Sequence, residues 1–280
     1  MPAGISKSLS AMKAESLEDW ETVEVDGGSL LEGLEQRVPS MFVNAAPFSG
    51  TADGVPAVVP LGARKGGVAV AVPVAEDGYF LTAAHVVRRK SSLIIVLDVS
   101  WLDGKAKIEA APARIVWEPT SFWVGGPDFA VVHAEISSLA PFKIDAELPQ
   151  IDAPIVTVGA HPIIRADSAR LRFSAGRIVS AKGRRASRST PAFVAVRHDA
   201  PSVPGDSGGP VLNRKGGLIG ISSYSRVSIR NWVSGFLNPG RTQFDMRGFY
   251  SVAFMPDPDW LREVIERDRR SRIRDQDAPN

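Results

Sequence analysis

Pro204-Gly205-Asp206-Ser207-Gly208-Gly209-Pro210 decides how this chain is read. Three glycines and two prolines in seven residues exclude a helix and a central strand. Glycine admits backbone conformations that side chains forbid, so the segment reads as a tight loop with its amides turned one way. Such a loop holds the Ser207 hydroxyl outward and aims the N–H groups of Gly205 and Ser207 at one point. An oxyanion would form there if the hydroxyl attacked a carbonyl. A serine nucleophile needs a base, and the base needs an orienting acid.

Two other segments supply candidates. Leu81-Thr82-Ala83-Ala84-His85-Val86-Val87 sets a histidine where an apolar strand meets small residues, which leave the imidazole room to turn. Read alone, His85 fits a satisfied core histidine as well as a base. Gly125-Gly126-Pro127-Asp128-Phe129-Ala130-Val131-Val132 sets a carboxylate at the start of an apolar strand. A buried carboxylate requires partners that offset its desolvation, and an imidazole N–H is one. A cap on the turn after Gly-Gly-Pro is the other reading. His133 falls on the opposite strand face from Asp128, and His161 and His198 lack acidic neighbours at metal-ligand spacing. These three read as surface or structural, and no metal site is expected.

The surrounding texture is β. Short runs rich in valine, isoleucine and alanine lie between turn signals: Gly67–Val74, Tyr79–Thr82, Ser92–Val99, Lys107–Trp117 and Phe129–Ala134. A second series comprises Ile155–Gly159, Leu171–Ser180, Ala192–Arg197, Val211–Leu212, Gly217–Tyr224 and Gly248–Phe254. The expected fold is all-β, with two packed six-stranded antiparallel barrels and a C-terminal helix. Barrel 1 is expected over about 56–136, a linker over 137–154, barrel 2 over 155–256 and the helix over 258–270, capped by Asp257 or Asp259. Together 41–270 form one domain. Residues 1–40 read as an acidic, mostly solvated extension, or alternatively as a segment that packs on the domain or occupies its cleft, and 271–280 as a basic tail. The arginines Arg267, Arg269, Arg270, Arg272 and Arg274 read as a solvated helix end or a site for an acidic partner. Ala181–Pro191 reads as a basic loop, and Arg226–Arg247 as a long insertion.

The three segments in the order His, Asp, Ser resemble the chymotrypsin-like (trypsin-fold) serine peptidases. Gly220-Ile221-Ser222-Ser223-Tyr224 is similar to that family's substrate-pairing strand, and Gly248-Phe249-Tyr250-Ser251-Val252 with Trp260-Leu261 to its last strand and closing helix. The likeness covers roughly 56–266. It implies Ser207 as nucleophile, His85 as general base and then acid, Asp128 as orienting acid, and the amides of Gly205 and Ser207 as oxyanion donors. It also implies a substrate pocket with Pro201 at its base, Ser223, Tyr224 and Ser225 along one side and Gly248 opposite. Pro201 carries no charge, so small or medium uncharged side chains are expected before the cut bond.

The pattern departs from digestive members of the family: there is no activation segment of the Ile-Val-Gly-Gly type and no cysteine for a disulfide. The closer likeness is to bacterial disulfide-free trypsin-like peptidases, including HtrA-type catalytic domains, here expected without a PDZ module. Asp206 stands where the HtrA group usually has asparagine, and Arg165, Arg172, Arg177 or the start of the chain is expected to pair with it. The resemblance implies a serine endopeptidase acting on polypeptides through an acyl-enzyme, with no cofactor. The rivals are a protease-fold scaffold and a peptidase restricted to itself or a single partner. With 280 residues, 44% hydrophobic and a net charge of +2, the chain is of ordinary globular composition, and a nucleic-acid partner is not expected. No membrane-spanning or signal-type run stands out, so cytosolic residence is expected. Oligomeric state is left open.

Overall fold

This computed structural model describes residues 24–25, 28–29, 34, 38–43, 45–52, 55–60, 67–90, 92–102, 105–120, 126–137, 139–160, 171–187, 190–202, 205–226 and 250–277. The first half contains β1 (Glu24–Val25), β2 (Gly28–Ser29), β3 (Ser40–Val43), β4 (Ala45–Ala52), β5 (Val55–Pro60), β6 (Gly67–Val70), β7 (Val72–Pro73) and β8 (Tyr79–Thr82). After the single-turn α1 (Ala84–Val87) come β9 (Leu93–Leu102), β10 (Lys105–Trp117) and β11 (Ala130–Ala134). The second half holds β12 (Pro154–Ala160), β13 (Leu171–Arg184), β14 (Phe193–His198), β15 (Pro210–Asn213), β16 (Leu218–Arg226), β17 (Tyr250–Pro256) and α2 (Pro258–Asp277).

Alternation along the strands explains how they pack. Phe80, Ala130 and Val132 fill the interior of the first barrel, with Ile95 and Met41. Their neighbours Tyr79, Leu81, Phe129 and Val131 point the other way, into a core shared between the halves. The second half repeats the scheme: Ile155, Val211 and Ala253 face inward, while Val156, Leu212 and Phe254 join the shared core. Both faces of β8, β11, β12, β15 and β17 are thus apolar, which is why the sequence shows runs there rather than alternating polar residues. Each fully buried side chain of this size contributes about 1.5–3 kcal/mol through burial.

The second half is a closed barrel in the order β12-β13-β14-β17-β16-β15. The first is a seven-stranded sheet in the order β6-β3-β9-β10-β11-β8-β7. Its outermost strands, β6 and β7, are halves of one segment separated only by Ala71, so the sheet curls back on itself. The double-barrel expectation therefore holds, with the first barrel joined through a broken strand.

Several boundaries move. β3 belongs to the first sheet although it precedes residue 56, and Leu34 and Val38 are buried in the shared core. Those two residues are therefore packed rather than solvated. Residues 1–23 lie outside the described residues, as do 227–249 of the expected insertion and its flank. β13 continues to Arg184 because Ala181–Arg184 stay paired with Phe193–Val196, which takes in the start of the expected basic loop. α2 runs to Asp277, beyond the expected end at 270, so much of the expected tail is helix. Asp257 caps it, its Oδ1 accepting from the Trp260 amide at 3.0 Å.

Candidate active site

β8 and β11 pair antiparallel, with the last residue of one, Thr82, opposite the first of the other, Ala130. His85 follows Thr82 and Asp128 precedes Ala130, so the register brings both to one end of the first barrel. α1 then turns His85 toward the carboxylate. Its backbone amide donates to Asp128 Oδ1 at 2.8 Å, and its Nδ1 lies 2.6 Å from Oδ2. Ser223 donates its hydroxyl to the same Oδ2. Asp128 is 1% exposed. Burial pushes its carboxyl upward, but the hydrogen bonds from His85 and Ser223 outweigh burial and hold it below the ordinary value.

The second barrel brings the serine. His85 Nε2 lies 3.1 Å from Ser207 Oγ, and the Ser223 carbonyl lies 3.4 Å from the same hydroxyl as an alternative acceptor. The loop is fastened to both barrels. Ser207 O accepts from the Val70 amide at 3.0 Å, and the Gly208 amide donates to Ser222 O at 2.7 Å. Gly208 has φ of 83°, and a Cβ there would fall 2.1 Å from Val70 O and 2.4 Å from Thr82 Oγ1. Only glycine lets this loop approach the first barrel so closely. Gly205, expected to supply an oxyanion amide, has φ of 106°.

Asp206 is buried against Gly159, where a Cβ would stand 1.8 Å from its Oδ1. Arg177, one candidate for its partner, donates instead to Asp152 O at 2.8 Å. Arg165, the Arg172 side chain and the chain's start lie outside the described residues.

The expected pocket residues are described in part, and Ser251, the strand partner of Ser225, donates its hydroxyl to Ala200 O beside Pro201. Ser223 sends its hydroxyl to Asp128 rather than into a pocket, and Pro201 is exposed. Tyr224 packs its ring 6.3 Å from Phe254, and Ser225 pairs through its main chain with Ser251. Gly248 lies outside the described residues. Sequence reasoning missed the Ser223–Asp128 bond because a register shift between Ser222 and Tyr224 sets which way that hydroxyl points. The signal available was a Ser-Ser pair following the apolar run Leu218–Ile221. His133 is buried beside Tyr79, its Nε2 3.1 Å from Asp77 O, and His198 is fully buried in the second barrel. Among the described residues, no set of three His, Asp or Glu side chains is placed to hold a metal ion.

The model of the trypsin-like peptidase domain matches residues 67–221, more than half of the chain. The chain belongs to the trypsin-like peptidase family. A probable periplasmic serine endoprotease, DegP-like, of Pseudomonas putida is 30% identical over 158 residues, covering 54% of this chain and 28% of that protein. This trypsin-like domain thus spans less than a third of the curated relative. The solved HtrA-type protease AlgW with a decapeptide has a TM-score of 0.52 at 17% identity, over 85% of this chain and 68% of the other. A serine endoprotease from Yersinia pestis has a TM-score of 0.50 at 17% identity, over 87% and 67%. At those identities the likeness concerns the fold. The curated relative is named as periplasmic, so the cytosolic expectation gains no support from it. Among the described residues, no helix is long and apolar enough to cross a membrane.

Proposed function

We propose that this trypsin-like domain is a serine endopeptidase that cuts polypeptides through an acyl-enzyme. The observation carrying this reading is the chain of contacts Asp128 Oδ2–His85 Nδ1 at 2.6 Å and His85 Nε2–Ser207 Oγ at 3.1 Å. Ser207 Oγ attacks the scissile carbonyl while its proton passes to His85 Nε2. Asp128 holds the Nδ1–H tautomer and stabilises the imidazolium, and Ser223 and the His85 amide fix the carboxylate. The amides of Gly205 and Ser207 receive the oxyanion, each donor worth roughly 3 kcal/mol in comparable sites. The tetrahedral adduct collapses as Nε2 returns the proton to the leaving amine. Water activated by the same nitrogen then releases the acyl group from Ser207.

No residue of this cycle is a thiol and the chain contains no cysteine, so reductants leave the activity unchanged. Uncharged side chains before the cut bond remain our reading of Pro201, which offers no charge to a cationic side chain. A fluorophosphonate probe with intact-mass readout tests the proposal. One adduct per chain, absent in Ser207→Ala, is expected. An unlabelled wild-type chain, or labelling that persists in Ser207→Ala, overturns it.

A further inference from the structure

α2 links the two halves of the molecule. It leaves the second barrel at Asp257, whose amide donates to Ala192 O at 2.9 Å. Its first turns bury Leu261, Val264 and Ile265 in the shared core, and Trp260 packs 4.7 Å from Trp117 and 5.8 Å from Phe129. Its later turns grip the first barrel through polar contacts. Asp268 accepts from Tyr79 Oη at 2.8 Å and from Arg114 Nη1 at 2.9 Å. Arg269 is bidentate to Asp77, at 2.8 and 2.6 Å. Arg272 reaches Glu135 and Tyr79 Oη, each at 3.2 Å.

The gripped residues have a common address. Tyr79 opens β8, and His133, whose ring packs tilted against Tyr79 at 4.6 Å and which lies opposite it in the register, precedes Glu135 by two positions. β8 ends just before His85, and β11 begins just after Asp128. α2 therefore holds the far ends of the two strands that carry the base and the acid, while its own start is fixed to the barrel that carries Ser207. The His85–Ser207 bond crosses between the barrels.

We propose that Asp268 and Arg269 are positioning residues that set the placement of the first barrel against the second, and so the approach of His85 to Ser207. The inference rests on the peptidase reading. Asp268 and Arg269 hold the start of β8 and the turn before it, beside the Arg272–Glu135 contact at the end of β11, all from a helix rooted in the other barrel. Bidentate pairing fixes geometry as well as energy, and a misplacement of about 1 Å between reacting groups costs up to roughly a hundredfold in rate.

The test uses the full chain and two readouts. The first is the rate of fluorophosphonate labelling at Ser207, measured well below each variant's unfolding temperature. The second is the distance between spin labels on Thr120→Cys in the first half and Lys215→Cys in the second, which are specific because the chain has no cysteine of its own. Asp268→Asn and Arg269→Gln are expected to slow labelling roughly ten- to a hundredfold and to broaden the distance distribution. Exchanging the Asp77 and Arg269 pair, as Asp77→Arg with Arg269→Asp, is expected to restore both in part. Should Asp268→Asn fail to fold, Tyr79→Phe removes one bond and keeps the ring. Folded variants that label at the wild-type rate overturn the proposal, whatever their melting temperature. A wild-type chain that does not label indicts the peptidase reading instead, and an unchanged distance distribution then overturns the positioning role separately.

Discussion

The first barrel holds the proposed base and acid by polar bonds, whereas the second holds the proposed nucleophile by backbone and glycine. Asp128 collects donors from His85 and, across the barrel boundary, from Ser223. The Ser207 loop is fixed by main-chain bonds to Val70 and Ser222, and by a glycine that a side chain would drive into Val70 and Thr82. The proposed acid–base side is therefore sensitive to loss of charge or hydrogen bonding, and the proposed nucleophile side to gain of volume. Closure differs as well. The second barrel is complete, while the first closes through a broken strand and is gripped by α2.

The largest effects lie where the barrels meet. Ser207→Ala and His85→Ala are each expected to lower kcat at least roughly 10⁴-fold. Asp128→Asn is expected to fall by a similar order, roughly 10⁴-fold, because the amide favours the wrong imidazole tautomer. Steady-state assays on a mixed peptide pool check all three. Retention of a tenth of the activity in Ser207→Ala contradicts the account. Ser223→Ala removes one of the Asp128 donors and leaves the tautomer intact, so a loss of only about tenfold is expected, in line with one charge-assisted hydrogen bond.

These assignments were legible to different depths. Ser207, His85 and Asp128, which the fold brings into contact, could be picked out as candidates because each sits in a short segment whose glycines, alanines or apolar run carry the constraint locally. The Ser223 hydroxyl could not, since a register shift sets its direction. Arg269 and Arg272 were visible as a charge run, but their partners Asp77 and Glu135 lie far upstream and meet them only through the fold. β3 was missed because Ser40–Val43 is short and follows an acidic stretch, although the shared core reaches back to Leu34.

That last point sharpens the contrast in stability. Leu34 is 1% exposed in the core between the barrels, so Leu34→Ala is expected to destabilise by about 2–5 kcal/mol. A deletion that removes residues 1–40 therefore removes core as well as extension. Urea unfolding of Leu34→Ala checks this, and a change within experimental error would return the segment to solvent.

His198 makes the second barrel sensitive to acid, as burial of His133 does, in the same direction, for the first. Complete burial pushes its imidazole down to about 4, partly countered by the Ala200 backbone. In the unfolded chain the same ring takes a proton near the ordinary value of about 6.5. Protonation therefore favours unfolding as pH falls through that interval, and stability present above about 6.5 is lost progressively toward 4. The loss is on the order of 3 kcal/mol. Urea midpoints between pH 7 and pH 4 are expected to fall in wild type and to flatten in His198→Leu, and parallel curves would contradict this.

The central claim is that residues from two barrels act as one chemical unit. A double-mutant cycle on Ser207 and His85 tests it most directly, with residual turnover measured for Ser207→Ala, His85→Ala and the pair. If the proton passes from one to the other, the double variant is expected to be no slower than either single variant, because either change disables the whole unit. Losses that multiply across the two substitutions would mean that the residues contribute independently, and would contradict the account.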